Sequence, residues 1–178
     1  MLVIMLQIFE ARESWPAELD EAVEFATRWH GDQLRPAGEP YVEHLLEALA
    51  VLMDGVGVTD VDVLRAAILH DVVEDTDCTL EEVRAAFGAR TATLVDWVTK
   101  DSDRAAYLER LRSAPADALL VKLADRLSNV QRLDTHPRPA KQRTYYAETV
   151  RSIVPLAEAH PWFREWYATW QTTFARLA

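Results

Sequence analysis

The residues of this sequence best suited to chemistry are four ionisable side chains in the short segment Leu69–Asp75. At about 100° per residue, a helix would place all four in one arc about 140° wide: His70, Asp71, Glu74 and Asp75. The same arc continues an apolar face one to two turns earlier: Val63, Leu64 and Ala67. Burying three carboxylates together is costly unless a cation neutralises them or they take up protons. We therefore favour a bound divalent metal, the alternative being an exposed helix end with ordinary acidic residues.

Two further segments supply side chains that could complete such a site. Asp125 and Asn129 are one helical turn apart, beside a leucine stripe in segment 115–134, so both can face one cavity. Read alone, such a polar arc is more often a solvated face. A lone histidine such as His44, just after a Gly-Glu-Pro-Tyr turn, is more often a core residue than a ligand. As a set, two imidazoles and two carboxylates suit Mn²⁺, Fe²⁺ or Zn²⁺, and the oxygen-rich mixture favours Mn²⁺. The predicted ligands leave coordination positions for water and a substrate oxygen, as in a catalytic site: His44, His70, Asp71 and Asp125.

The elements that would position these side chains are helices. Strand signals are nearly absent, whereas helix starts recur, as in the capping box Thr79-Leu80-Glu81-Glu82 and at Pro16 and Pro139. We predict an all-α bundle of eight or nine helices, at about 16–30, 42–54, 60–75, 79–87, 89–99, 103–113, 115–134, 139–159 and 161–177. The last carries a stripe with a spacing of four, which predicts burial against the body of the protein or, alternatively, a homodimer interface: Trp162, Trp166, Trp170 and Phe174.

Three motifs give this chain a family resemblance. They are H-x-x-Q-x-R-x-x-G-E-P-Y-x-x-H (His30–His44), L-H-D-x-x-E-D-T (Leu69–Thr76) and V-K-L-A-D-R-L-x-N (Val121–Asn129). Together they strongly resemble the hydrolase domain of RelA/SpoT-type alarmone enzymes within the HD superfamily, with the small stand-alone alarmone hydrolases closest in size. The resemblance covers about residues 18–160. It implies one HD-type hydrolase domain over residues 1–178, with the tryptophan-rich helix 161–177 packed on it.

The resemblance also implies an activity and residue roles. The expected reaction removes the 3′-pyrophosphate from guanosine tetra- or pentaphosphate by a metal-activated water, usually with Mn²⁺. By position, the four predicted ligands match the family's metal set, and Glu74 and Asp75 match its catalytic acidic pair. Arg35 and Asn129 match substrate-contacting positions. Tyr146 is a further candidate for substrate stacking or hydrogen bonding, with packing in the bundle as its alternative.

Several positions depart from the family pattern, and they concern specificity rather than the metal. Pro36 and Ala37 stand where the family commonly has a basic residue and Ser, while Ser128 replaces an aromatic or His. Arg132 stands where a smaller residue is common, and Leu45 replaces a Pro. Two other functions therefore stay open: an HD phosphohydrolase of another nucleotide, such as an NADPH 2′-phosphatase, and a non-catalytic nucleotide-sensing metal module. An assay that measures whether phosphate, pyrophosphate or neither is released, from guanosine tetraphosphate and from NADPH with Mn²⁺, would discriminate these three functions.

Composition limits the class of partner. The formal net charge of −10 argues against broad binding to nucleic acid polymers, which needs a basic surface, but a metal and a few local cations can still bind a small anionic nucleotide. A single cysteine, Cys78, excludes an internal disulfide and fits a cytoplasmic location. The apolar segment Met1–Phe9 lacks a basic leader and predicts a packed segment rather than a signal peptide or a membrane anchor.

Overall fold

Side-chain caps and prolines set the helix starts of this protein. In the computed structural model, which describes residues 15–100 and 102–178, Asp60 and Asp103 each accept two backbone N–H groups at the first turn of the following helix. Thr79 and Glu82 form the predicted capping box, and prolines occupy first-turn positions of later helices. The side-chain caps satisfy N–H groups that a helix start would otherwise leave without a partner, and a proline there removes one such group. The segment Met1–Phe9 lies outside the described residues.

The described residues form helices and no strand, and the prediction of an all-α fold is confirmed. The α-helices are α1 Asp20–His30, α2 Tyr41–Ala50, α3 Val61–Leu69, α4 Val72–Asp75, α5 Leu80–Val98, α6 Arg104–Arg110, α7 Ala116–Val130, α8 Pro139–Glu148, α9 Val154–Ala157 and α10 Pro161–Thr173. Short 3₁₀ turns lie at Ala17–Leu19, Leu111–Ser113, Leu133–Thr135 and Ala175–Leu177. None of the helices within the described ranges has the length and apolarity needed to cross a bilayer.

Several helices differ from their predicted bounds for identifiable reasons. Segment 139–159 is not one α-helix, because the chain widens into a π turn at Thr149–Ile153 before α9. Pro155 lacks the N–H that a regular helix would use there. A second π turn, Val51–Val56, extends α2 and ends at Gly57, whose φ of 79° suits a glycine. The two predicted helices 79–87 and 89–99 are the two arms of α5, which is kinked at Gly88.

The core lies where α2, α3, α5 and α7 pack together. Helix α3 contacts α2, α5 and α7, and α7 also contacts α2 and α5. Side chains at this junction are almost fully buried: Leu45, Leu49, Leu64, Ile68, Val95, Leu123 and Leu127. Because His44 lies on α2, His70 ends α3 and Asp125 lies on α7, the packing of this core brings the three side chains to one place.

The C-terminal helix α10 packs on α7, through a stripe that differs from the predicted one. Its buried aromatic side chains are Phe163, Tyr167, Trp170 and Phe174, whereas Trp162 and Trp166 are half-buried. A step of four residues turns about 40° past a full turn, so a strict spacing of four drifts off one face. The Tyr167 hydroxyl and the Trp170 indole donate to the carbonyls of Leu123 and Val130, each at 2.9 Å. The homodimer alternative stays a prediction.

Glu148, which is buried, joins α8 to two neighbouring helices through ion pairs with the exposed Arg104 and the buried Arg126. Arg104 donates to both of its oxygens at 2.6 and 2.7 Å, and Arg126 donates at 2.5 Å. Burial raises the pKa of Glu148, but the hydrogen bonds from Arg104 and the charge of Arg126 outweigh it and lower the pKa to about 2. Glu148 is therefore ionised in the folded protein at any ordinary pH.

These ion pairs predict acid sensitivity. A depressed folded-state pKa adds stability above the unfolded-state value, and that contribution is lost as pH falls from about 4.5 towards 2. We expect the lowered pKa of Glu148 to contribute at most about 3 kcal/mol to the free energy of unfolding. Thermal unfolding of wild type and Glu148→Gln between pH 7 and pH 2.5 measures it. The variant should be less stable at pH 7 and lose less on acidification, whereas exposed Glu158→Gln should follow wild type. Parallel curves for Glu148→Gln and wild type would contradict the assignment.

Candidate metal centre and adjoining pockets

Four buried side chains converge from three elements of the core. Their donor atoms all lie within 4.8 Å of one another, and this is the one such group among the described residues: His44, His70, Asp71 and Asp125. The Nε2 atom of His44 lies 3.3 Å from oxygens of both Asp71 and Asp125. The Nε2 atom of His70 lies 3.1 and 3.5 Å from the same two oxygens. The structure thus brings together all four residues that the sequence predicted as metal ligands.

A local break in the chain lets two adjacent residues face this point. Helix α3 ends at Leu69, and Asp71 adopts φ −102° and ψ −4° before α4 begins at Val72. In a continuous helix, neighbouring side chains diverge by about 100°. The predicted single helix over 60–75 is therefore wrong at His70–Asp71, and the turn there directs both side chains to the same centre.

Both imidazoles present Nε2 to the cluster, because their Nδ1 atoms have other partners. His70 Nδ1 lies 2.7 Å from the carbonyl oxygen of Ala67, which can only accept a hydrogen bond, so Nδ1 carries a proton. His44 Nδ1 lies 2.8 Å from Ser128 Oγ, whose hydroxyl proton is donated to Glu47. Ser128 Oγ must then accept from His44 Nδ1. In both rings, Nε2 is left to face the carboxylates.

The electrostatics of the cluster favour a positive charge at its centre. Burial raises the pKa of Asp71, but the charge of His70 and the hydrogen bond from His70 lower it well below its usual range. Burial lowers the pKa of His70, yet Asp71 and Asp125 outweigh this effect and raise it to about 10. A proton thus occupies His70 Nε2, between two ionised carboxylates. A divalent cation can replace that proton, and two imidazoles with two carboxylates are ligands that transition metals accept.

Asp125 is oriented by two residues of its own helix, α7. The buried Lys122 ammonium donates to Oδ2 at 2.5 Å, and the Asn129 amide donates to Oδ1 at 2.7 Å. Burial raises the pKa of Asp125, but the charge of Lys122 and the hydrogen bond from His70 lower it well below its usual range. Oδ1, the oxygen near both histidines, therefore belongs to a fixed and ionised carboxylate. Such supporting contacts commonly set the affinity of a metal site.

Glu74 and Asp75 lie beside the cluster rather than within it. Both oxygens of Glu74 are bound by Lys100, through its backbone N–H at 3.0 Å and its ammonium at 2.5 Å. Asp75 is exposed, and its Oδ2 accepts from the Tyr41 hydroxyl at 2.6 Å. The same hydroxyl lies 2.6 Å from the Asp71 carboxylate. The prediction that all four ionisable groups share one arc is therefore wrong. The helix is broken at Asp71, so His70 and Asp71 lie in the cluster, whereas Glu74 and Asp75 lie on the following turn.

Two pockets adjoin the cluster and share Asn129 and Tyr145 in their linings. The first pocket, of about 200 Å³, is also lined by Arg35, Pro36, Ala37 and Arg132. The second pocket, of about 440 Å³, includes the cluster residue Asp125 and Glu74. Its lining also contains five cationic side chains: Lys100, Arg104, Lys122, Arg126 and Lys141. The metal cluster therefore opens towards a cavity rich in groups that bind phosphate oxygens.

Of the predicted substrate residues, Arg35 and Asn129 line a pocket and Tyr146 does not. Tyr146 is buried and stacks on Trp170, with ring centroids 5.2 Å apart. Its neighbour Tyr145 lines both pockets instead, with the charged ends of Arg126 and Lys141 within 5.6 and 5.2 Å of its ring centroid. The sequence alone has no signal that separates these adjacent tyrosines, since a rotation of one residue about α8 exchanges them.

Sequence reasoning also missed three supporting residues. Glu47 is buried one turn after His44, Tyr41 joins Asp71 to Asp75, and Lys100 holds Glu74. The spacing of three between His44 and Glu47 was a usable signal, because it places both side chains on one face of α2. Lys100 follows α5 and reaches Glu74 only through tertiary packing.

Several known proteins resemble this chain. Residues 22–162 match the family described as HD domain. The guanosine-3′,5′-bis(diphosphate) 3′-pyrophosphohydrolase MESH1 of Homo sapiens is 43% identical over 126 residues, which cover 66% of this chain and 70% of that protein. The guanosine-3′,5′-bis(diphosphate) 3′-pyrophosphohydrolase of Aquifex aeolicus is 40% identical over 149 residues, 79% of this chain but only 21% of that protein. A solved structure, described as a metazoan ortholog of SpoT that hydrolyzes ppGpp, superposes with a TM-score of 0.82 at 29% identity, over 89% of this chain and 97% of its own.

Proposed function

Because the chain belongs to the HD-domain family, we propose that it is a metal-dependent phosphohydrolase that removes the 3′-pyrophosphate from guanosine tetra- or pentaphosphate. The observation that carries this proposal is the buried His44, His70, Asp71 and Asp125 cluster opening towards a cation-rich pocket. A relative that is 43% identical bears the name of this activity. The substrate is a small, highly charged nucleotide, which agrees with an acidic protein in which five cationic side chains line one pocket.

The four cluster residues would hold one divalent ion, and we propose Mn²⁺ because the set combines two imidazoles with two carboxylates. When bound, such an ion lowers the pKa of a water molecule and polarises a phosphoryl oxygen. Lys122 and Asn129 keep Asp125 in its orientation, and the Ala67 carbonyl does the same for His70. Ligands fixed in this way lose little conformational freedom when the ion binds.

Glu74 is our candidate for the general base. Lys100 holds its carboxylate at the wall of the second pocket, close to the cluster residue Asp125 in that lining. From there it can accept the proton of the attacking water and orient that water towards the scissile phosphorus. Asp75, hydrogen-bonded through Tyr41 to Asp71, is the candidate for a supporting role in orientation.

The cationic side chains of the second pocket are proposed to bind the pyrophosphate. Lys100, Arg126 and Lys141 line it together, and guanidinium and ammonium groups stabilise charge on a leaving phosphate. The nucleoside would then extend past Asn129 and Tyr145 into the first pocket. Pro36 and Ala37 provide no side-chain cation there, so Arg35 and Arg132 carry the positive charge of that lining.

A substrate panel on metal-free protein refilled with single divalent ions tests the function. Guanosine tetraphosphate with Mn²⁺ should release pyrophosphate and guanosine 5′-diphosphate. Release of inorganic phosphate from NADPH with no turnover of guanosine tetraphosphate would replace the proposal with the 2′-phosphatase alternative. Tight binding of guanosine tetraphosphate without any product would instead identify a nucleotide-sensing metal module.

The shared lining of the two pockets predicts a role for Tyr145 in substrate binding. Tyr145→Ala removes the ring between the pockets, and we expect KM to rise about 10-fold with a smaller change in kcat, since a stacking contact contributes roughly 1–3 kcal/mol. Steady-state kinetics measures both parameters. Tyr146→Phe is the matched control and should retain the wild-type KM, because only its hydroxyl bond to the Gln171 carbonyl is lost. Equal KM values in the two variants would remove Tyr145 from the binding site.

We also propose that the helices from α1 to α10 act as one hydrolase domain in the cytoplasm. The free and buried Cys78 fits a reducing compartment, and the proposed substrate is an intracellular nucleotide. Limited proteolysis should then yield no stable fragment shorter than this helical region.

A further inference from the structure

A buried carboxylate lies between the metal cluster and the first pocket. Glu47 is only 4% exposed and accepts hydrogen bonds from four side chains. Its partners are Arg35 at 3.0 Å, Arg132 at 2.8 Å, Gln131 at 3.0 Å and the Ser128 hydroxyl. A buried carboxylate needs such compensation. Here the compensating partners lie on both sides of Glu47. Ser128 connects it to the metal cluster, whereas Arg35 and Arg132 connect it to the first pocket.

The metal side of this network runs through Ser128. A serine hydroxyl has one proton, and here Glu47 accepts it. Ser128 Oγ therefore accepts from His44 Nδ1, which leaves the lone pair of Nε2 towards the cluster. Glu47 thus determines, through one hydroxyl, which nitrogen of His44 is available to a cation.

The pocket side of the network holds two guanidinium groups in place. Arg35 donates to Glu47 with Nη1 and to the Ser128 carbonyl with Nη2, so both terminal nitrogens of its guanidinium group are fixed. Arg132 donates to the other oxygen of Glu47. Both arginines line the first pocket. Two guanidinium groups around one carboxylate leave a net positive charge there, held in a defined geometry for an anionic ligand.

We propose that Glu47 is a positioning residue that couples the two halves of the site: it sets the tautomer of His44 for metal binding and orients Arg35 and Arg132 for the nucleotide. This inference rests on the proposed function for its pocket side only. An amide at position 47 can donate to Ser128, which would then turn its own proton towards His44 Nδ1. His44 would carry its proton on Nε2, and the metal would lose a ligand.

The test uses four variants and two readouts. Titration of metal-free protein with Mn²⁺, followed by paramagnetic broadening or calorimetry, gives the dissociation constant. Kinetics with guanosine tetraphosphate at saturating Mn²⁺ gives KM. Glu47→Gln should weaken Mn²⁺ binding by about 10–100-fold, the usual effect of removing a partner of a ligand, and should also raise KM. Ser128→Ala should weaken Mn²⁺ binding to a similar extent, with a smaller effect on KM. Ser128→Thr keeps the hydroxyl and should bind Mn²⁺ with the wild-type affinity.

Gln131→Ala is the control, because it removes one hydrogen bond to Glu47 without touching Ser128 or either arginine. It should keep the wild-type affinity for Mn²⁺. If Glu47→Gln lowers only the melting temperature and matches Gln131→Ala in both readouts, Glu47 is merely structural and the inference is overturned. If wild type does not hydrolyse guanosine tetraphosphate, the proposed function fails separately. The Mn²⁺ titration then still decides whether Glu47 and Ser128 set the metal affinity.

Discussion

We expect Asp71→Ala to abolish metal binding and, with it, hydrolysis. Asp71 supplies an ionised oxygen 3.1 and 3.3 Å from the two histidine Nε2 atoms, so its removal leaves the cluster with one carboxylate. A metal ion contributes several kcal/mol to a phosphoryl transfer transition state, so we expect kcat/KM to fall by about a thousand-fold or more. Metal content, measured by mass spectrometry after reconstitution with Mn²⁺ and desalting, should fall from about one ion per chain to a trace.

The design of this experiment separates lost ligation from lost folding. Asp96→Ala changes an exposed carboxylate on α5 and should keep both metal content and turnover. Circular dichroism should show the same helical content for Asp71→Ala as for wild type. His70→Ala provides an independent removal of a ligand and should give the same loss. A variant of either ligand that retains full metal content and full turnover would refute the assignment of these residues.

Glu74→Gln should keep the metal but lose most of the turnover. The glutamine has the shape of glutamate and no charge, so it cannot accept a proton from water, and general base catalysis is typically worth 10²–10⁴-fold. We expect kcat to fall by about 100-fold or more with metal content unchanged, because Glu74 lies outside the ligand cluster. Loss of the partly buried ion pair with Lys100 should lower the free energy of unfolding by about 1 kcal/mol.

Asp75→Asn is the matched comparison for this prediction. Asp75 follows Glu74 directly but is absent from the cationic lining of the second pocket; it lines a separate, more open pocket with His30 and Gln33. A moderate loss in Asp75→Asn, well below that of Glu74→Gln, would agree with a role in orientation through Tyr41. Near-normal kcat in Glu74→Gln, with a large loss in Asp75→Asn, would move the base role to Asp75. Near-normal rates in both variants would leave the water to be activated without a carboxylate base.

The sequence by itself determined the helical class and the residues of the cluster. Helix starts depend on local chemistry, so Thr79 with Glu82 and Pro139 mark their helices without any tertiary information. Part of the cluster was also predictable, because burying carboxylates beside apolar residues is costly without a cation. That argument needs only residue types and the helical period, and it selected His70 and Asp71, whereas Asp125 was added by pairing with this segment; the structure places all three side chains together.

Only the tertiary structure decided how those residues meet and what surrounds them. The period of a helix predicts one arc for His70, Asp71, Glu74 and Asp75, but the turn after Leu69 divides them into two in the cluster and two beside it. That Tyr145 lines the pockets while Tyr146 is buried depends on the rotation of α8 against its neighbours, which local patterns do not fix. The contacts of Glu47 with Arg35 and Ser128 join residues 12 and 81 positions apart. Such contacts depend on packing between helices, and no local propensity of the chain specifies them.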